Sequence, residues 1–198
     1  RDTSVTGVQT CALPICRNMS ETEYALGRNC GITYAGIKPA SMVSISGSGR
    51  QTAKRITDNF IKKGFSAVEL KRTDDKSILL VYGEVALKEV LFSKENKEFL
   101  KGYGYNYSTV SEAVETLKSR MKNKDFPHEI GVFLGYALDD VKGFIESPCK
   151  GVKVLGYWKV YSDEKSAIEK FSRYKKCSDC ITRRMECGES LSEIFKVG

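Results

Sequence analysis

The chain has 198 residues, 41% of them hydrophobic and 29% charged, which is enough for one or two domains with a full core and too apolar for a disordered chain. No apolar run approaches the roughly 20 residues of a bilayer span, so no transmembrane helix and no membrane partner are expected. Seven cysteines form an odd set in a chain too large to need disulfide staples, and the first residues lack the basic-then-apolar pattern of a secretory leader, so reduced thiols and a cytoplasmic location are expected.

The opening stretch stands apart from the rest. Val5 to Ile15, VTGVQTCALPI, resembles the in-frame translation of a short-read sequencing adapter over all eleven residues. Residues 1–15 are therefore expected to be a non-native, adapter-derived segment and residues 16–198 a single α+β domain, with Met19 a candidate start unless the natural N-terminus was lost.

Ser20 and Glu23 have capping-box spacing and predict a helix to about Asn29. Val43 and Ile45 alternate with serines ahead of the Gly47-Ser48-Gly49 break, which predicts a strand. From Gln51 to Gly64, residues Ala53, Ile56, Phe60 and Ile61 fall on one apolar helical face, and Gly64 ends it. Ser66–Arg72 and Ser77–Tyr82 flank a Thr-Asp-Asp-Lys turn and predict a hairpin. Glu84 to Ser147 reads as mostly helical, with Thr109 and Glu112 as a second capping box and Pro127 placed for a first helical turn. Val152 to Tyr161 returns to strand. Asp163 then caps a long helix with Ala167, Phe171, Tyr174, Ser178, Ile181 and Met185 on one stripe, and Ser190 with Glu193 opens a last turn. This order predicts an α+β fold: a mostly antiparallel four-stranded sheet with flanking helices.

Net charge is +7, concentrated in Arg50–Arg72, with seven basic and two acidic residues, and in Lys165–Cys187, with seven and three. Such patches attract phosphates. No zinc-finger, RNP1-type or helix-turn-helix signature accompanies them, so nucleic acid is not the expected partner.

Three stretches make the chain recognisable: Phe126 to Tyr136 (FPHEIGVFLGY), Asp140 to Ile145 (DVKGFI) and Gly156 to Tyr161 (GYWKVY). With Asn29-Cys30, Ala35–Ala40 and Arg173–Cys177, they resemble the bacterial domain-of-unknown-function family 3793 from about Cys30 to the C-terminus. The resemblance carries no activity, fold or catalytic residue with it. Ala137 and Ile32 stand where prolines are usual, and Gly83 where an arginine often follows the Val-Tyr pair, so an anion site built on that arginine is not expected here.

No motif fixes a reaction. His128 is the lone histidine, and a position in a helical first turn would keep it neutral, as a base or metal ligand; Glu129 gains from the same dipole. H-E-x-x-H is ruled out by Val132. Cys30 with His128 could supply a thiolate nucleophile or two ligands of a metal or haem iron, and Cys177-x2-Cys180-x6-Cys187 has metal-like spacing but lacks a fourth ligand. Gly47 to Arg50 reads as a flexible turn with phosphate-binding potential, and Tyr103, Tyr105, Tyr107 and Trp158 as packing or as a pocket lining. The leading expectation is a small binding protein that holds a cofactor, a metal or a small anionic ligand near Cys30, Lys38, His128, Glu129, Tyr157 and Lys159, with Cys30, His128 and Cys177 as metal candidates. The alternatives are an enzyme using Cys30 or His128 and an interaction module using the basic faces. Oligomeric state and the identity of any cofactor are not legible.

Overall fold

The computed structural model describes residues 19–123 and 125–197, so the adapter-like segment and Cys11 and Cys16 lie outside the described residues. The fold centres on a three-stranded antiparallel sheet. Strands β1 (Ala40–Ser46), β2 (Phe65–Arg72) and β3 (Lys76–Gly83) are ordered β1-β3-β2. The hairpin read from the sequence is β2–β3, and its register slips between Glu69 and Lys71, a bulge beside Leu70, which is buried.

Period-two alternation decides what each face of the sheet receives. Val43, Ile45 and Val81 face one layer, where they pack with Leu26, Cys30, Ile181 and Met185. That layer contains α1 (Glu21–Tyr34), α2 (Arg50–Asp58), α8 (Glu164–Glu186) and α9 (Leu191–Phe195). Ala40, Leu70, Leu80 and Tyr82 face the other, against α3 (Glu84–Phe92), α4 (Lys94–Gly102), α5 (Val110–Arg120), α6 (Ile130–Phe133) and α7 (Leu138–Glu146). Each fully buried Leu or Ile contributes about 1.5–3 kcal/mol, so both helical layers are held mainly by apolar burial.

Several helix ends follow the sequence signals. Thr109–Glu112 and Ser190–Glu193 form reciprocal capping boxes, and the Asp163 carboxylate accepts from Ser166 N. Ser20 accepts from Glu23 N, but α1 continues past Asn29 to Tyr34, because Cys30, Ile32 and Tyr34 are buried against the sheet and α8. The Gln51–Gly64 helix is shorter than its periodicity suggests. It ends at Asp58, a 3-10 turn follows over Ile61–Lys63, and Ile61 is 57% exposed, while Gly64 closes the turn with a φ of +79°.

The four-stranded sheet is corrected. Val152–Tyr161 does not join it; it folds on itself as a separate hairpin of β4 (Val154–Leu155) and β5 (Lys159–Val160). Its aromatic residues take another partner. Trp158 meets Phe171 of α8 edge-on at 4.5 Å, and Gly156 lies so close to the Phe171 ring that a Cβ there would come within 2.2 Å of it. Ile32, Trp158, Val160, Ala167 and Tyr174 make a third small cluster that fastens this hairpin to α1 and α8. Among the described residues, no helix is long and apolar enough to cross a membrane.

Candidate functional site

Helices α6 and α7, the turn between them and the hairpin together line a pocket of about 390 Å³. One wall comes from the segment before and within α6: Phe126, His128, Ile130, Gly131 and Leu134. Asp140, Val141 and Phe144 of α7 continue it, Tyr136, Tyr157, Trp158 and Lys159 complete it, and Met42 of β1 is the sheet's contribution. Aromatic and aliphatic side chains dominate this lining, with a few polar groups among them, as in small-molecule sites.

Close approach shapes the pocket. A Cβ on Gly131 would meet Val141 Cγ2 at 2.8 Å, so α6 and α7 pack in contact there. Gly135 takes a φ of +75° and reverses the chain over the Pro39 ring, which delivers Tyr136 to its place. The Tyr136 ring then stacks on Trp158, with centroids 4.7 Å apart and planes 22° off parallel.

Asp140 holds the two sides together. Its buried carboxylate accepts from Trp158 Nε1 at 2.7 Å, and from Tyr161 N, Ser162 N and Ser162 Oγ at 2.8 Å each. Burial opposes its charge, but these donors outweigh burial and bring its pKa below the usual carboxylate value.

His128 lines the pocket with an exposed ring. Other rings lie against it, Phe144 edge-on at 5.0 Å and Phe126 at 5.6 Å, and its imidazole makes no hydrogen bond to the described residues. The helical first turn expected for it is corrected: α6 starts at Ile130 and has only four residues, so His128 and Glu129 sit in the turn before it and a helix dipole contributes little. Lys159 donates to Pro148 O at 2.8 Å, and its ammonium lies 5.5 Å from the centre of the Phe144 ring, leaving two N–H donors for other acceptors. Of the lining aromatics, Tyr157 is 42% exposed and Phe126 44%.

The other sequence candidates lie elsewhere. Glu129 is turned away from the pocket into the core, where it pairs with Arg120 Nε and accepts from Tyr105 OH at 3.0 Å. Its carboxylate is committed internally, which removes it from the ligand set expected beside His128.

Cys30 is fully buried and does not line the pocket with His128; loss of solvent pushes its thiol up to about 12, against a smaller opposing effect of Lys38. Lys38 is 8% exposed, with no ion pair or hydrogen bond for its ammonium among the described residues. Burial lowers its pKa to about 8, although the Cys30 thiol works the other way, and its Nζ lies 5.5 Å from the centre of the Tyr136 ring.

Cys177 is half-buried on α8, with burial first and Cys180 second raising its thiol pKa, whereas Cys180 and Cys187 are exposed. Among the described residues no group of three or more His, Cys, Asp or Glu side chains is placed to hold a metal ion, so Cys30, His128 and Cys177 do not assemble as one ligand set. The Gly47–Arg50 turn is occupied structurally. Arg50 Nε donates to Ser77 Oγ at 2.7 Å, its NH2 donates to the Asp74 carbonyl at 3.2 Å, and Gly47 N donates to Asp75 O at 2.7 Å, so this loop latches onto the β2–β3 turn. Tyr105 and Tyr107 are core residues, and of Tyr103, Tyr105, Tyr107 and Trp158 only Trp158 lines the pocket.

Asp140, Tyr136, Phe126 and Phe144 were not among the expected site residues. Asp140 lies in the first turn of α7, where an acidic residue is ordinary, and its donors come from a segment some 20 residues further on.

A family model described as protein of unknown function (DUF3793) matches residues 26–195. No curated protein and no solved structure matches the chain.

Proposed function

The chain belongs to the family of proteins of unknown function DUF3793, and from that premise we propose that it is a small-molecule-binding protein whose site is the pocket between α6–α7 and the β4–β5 hairpin. One observation carries the reading. Three of the six stretches by which the sequence resembles its family, Phe126–Tyr136, Asp140–Ile145 and Gly156–Tyr161, occupy separate parts of the chain yet supply twelve of the thirteen lining residues.

The lining sets the chemistry of the occupant. The stacked and edge-on rings of the lining favour a flat apolar body. Lys159 favours an anionic group on that body, and His128 offers a nitrogen that no described residue engages. Of the expected binding residues, His128, Tyr157 and Lys159 carry this role, while Cys30, Lys38 and Glu129 stand behind the walls.

Trp158 is the only tryptophan and lines the pocket, so its emission reports directly on occupancy. Titration with a fluorescent naphthalene sulfonate should quench Trp158 with one-to-one stoichiometry. Lys159→Ala should weaken this anionic probe while sparing a neutral naphthalene of the same size. Absence of saturable quenching by either compound would overturn the reading.

A further inference from the structure

The chain has one histidine, and it stands on the wall of this pocket. A bare metal ion would find one imidazole there, against the three or four protein ligands that zinc sites use, and among the described residues no cluster of three ligating side chains exists. A metal that arrives with four in-plane donors needs only one axial imidazole. The remaining features of the site suit such a ring. Its walls are aromatic and aliphatic, the lining rings of Phe126 and Tyr157 are exposed, and Lys159 offers donors to an acidic substituent. The His128 ring lies against the Phe126 and Phe144 rings, and its nitrogens make no hydrogen bond to the described residues.

We propose that the pocket takes a metal-bearing planar macrocycle of the metalloporphyrin class, with His128 as the one protein ligand to the metal and Lys159 facing a carboxylate on the ring edge. This rests on the pocket reading above and narrows it. At about 390 Å³ the pocket is at the lower end of small-molecule sites, so it would hold part of the macrocycle and leave the rest at the opening.

The test titrates the full chain with hemin and, in parallel, with metal-free protoporphyrin, following the Soret band and Trp158 quenching. The expected result is saturable binding of hemin with a shifted Soret band. In His128→Ala the shift should be lost, hemin affinity should fall to that of the metal-free ring, and free imidazole should restore the shifted band. His128 is exposed, so this variant is expected to fold as wild type does, and circular dichroism checks it.

Metal-free protoporphyrin binding as tightly as hemin, or an unchanged Soret band in His128→Ala, would overturn metal ligation while leaving the flat-anion pocket standing. Failure of hemin, the metal-free ring and the naphthalene sulfonate alike would overturn both.

Discussion

Trp158 Nε1 donates to Asp140 Oδ2 at 2.7 Å, and this single bond ties the stacked floor of the pocket to helix α7. Three more donors, from Tyr161 and Ser162, converge on the other carboxylate oxygen. Asp140→Asn keeps the shape but exchanges one acceptor for an amide that faces a donor. Removing a charged acceptor from buried donors costs about 2–4 kcal/mol, so the urea midpoint should fall accordingly and native Trp158 emission should shift to the red. An unchanged midpoint and spectrum would show that Asp140 does not hold the hairpin.

The same carboxylate gives a direction with pH. Its folded pKa lies below its unfolded value, so its contribution is complete above the unfolded carboxylate pKa of about 3.9 and is lost only as pH falls through the lower folded value. Wild-type Trp158 emission should therefore stay native-like through pH 5 and change only in stronger acid. A transition near pH 6 would contradict this.

Lys38 is a liability to the fold near neutrality. Its folded pKa of about 8 lies below the unfolded 10.5, so at pH 7 the folded protein carries a largely buried ammonium that has no ion pair among the described residues, and stability rises as pH climbs from about 8 to about 10.5. Lys38→Met should stabilise the protein by about 1–3 kcal/mol at pH 7, and the gain should shrink toward zero by pH 10.5. Urea denaturation at both pH values measures this; a gain that does not change with pH would point to packing instead.

Gly131 and Val141 are coupled by contact. Gly131→Ala forces a methyl to within 2.8 Å of Val141 Cγ2 and 3.1 Å of Tyr136 Cδ2, with an expected cost of about 1–3 kcal/mol and weaker binding in the pocket. Val141→Ala opens space for that methyl, so the double variant should be more stable than the sum of the singles predicts. Strict additivity in the double-mutant cycle would argue against the contact.

The sequence was most informative where the physics is local. The Thr109 and Ser190 capping boxes, the Asp163 cap and the β2–β3 hairpin each depend on a few neighbouring residues and appear where their patterns place them. It was less informative where a distant partner decides. Val152–Tyr161 has strand composition, but Phe171 on α8 captures its aromatic face and it never reaches the sheet. The site divides in the same way. His128, Tyr157 and Lys159 stood out by residue type, whereas Asp140 matters because of four donors no spacing rule connects to it. Cys30 and Glu129 looked reactive as residue types, and it is their burial that removes them.

His128 and Glu129 are chain neighbours that serve opposite sides of one turn, the imidazole on the pocket and the carboxylate in the core with Arg120 and Tyr105. The core-facing carboxylate works as a mooring for the pocket-facing ring. Arg120 belongs to α5, which contributes nothing to the lining, yet Arg120→Ala would strand a buried charge at a cost of about 3–5 kcal/mol and free the turn to drift. Loss of binding in that variant, with every lining residue intact, would mark the helix behind the wall as the place from which the pocket is tuned.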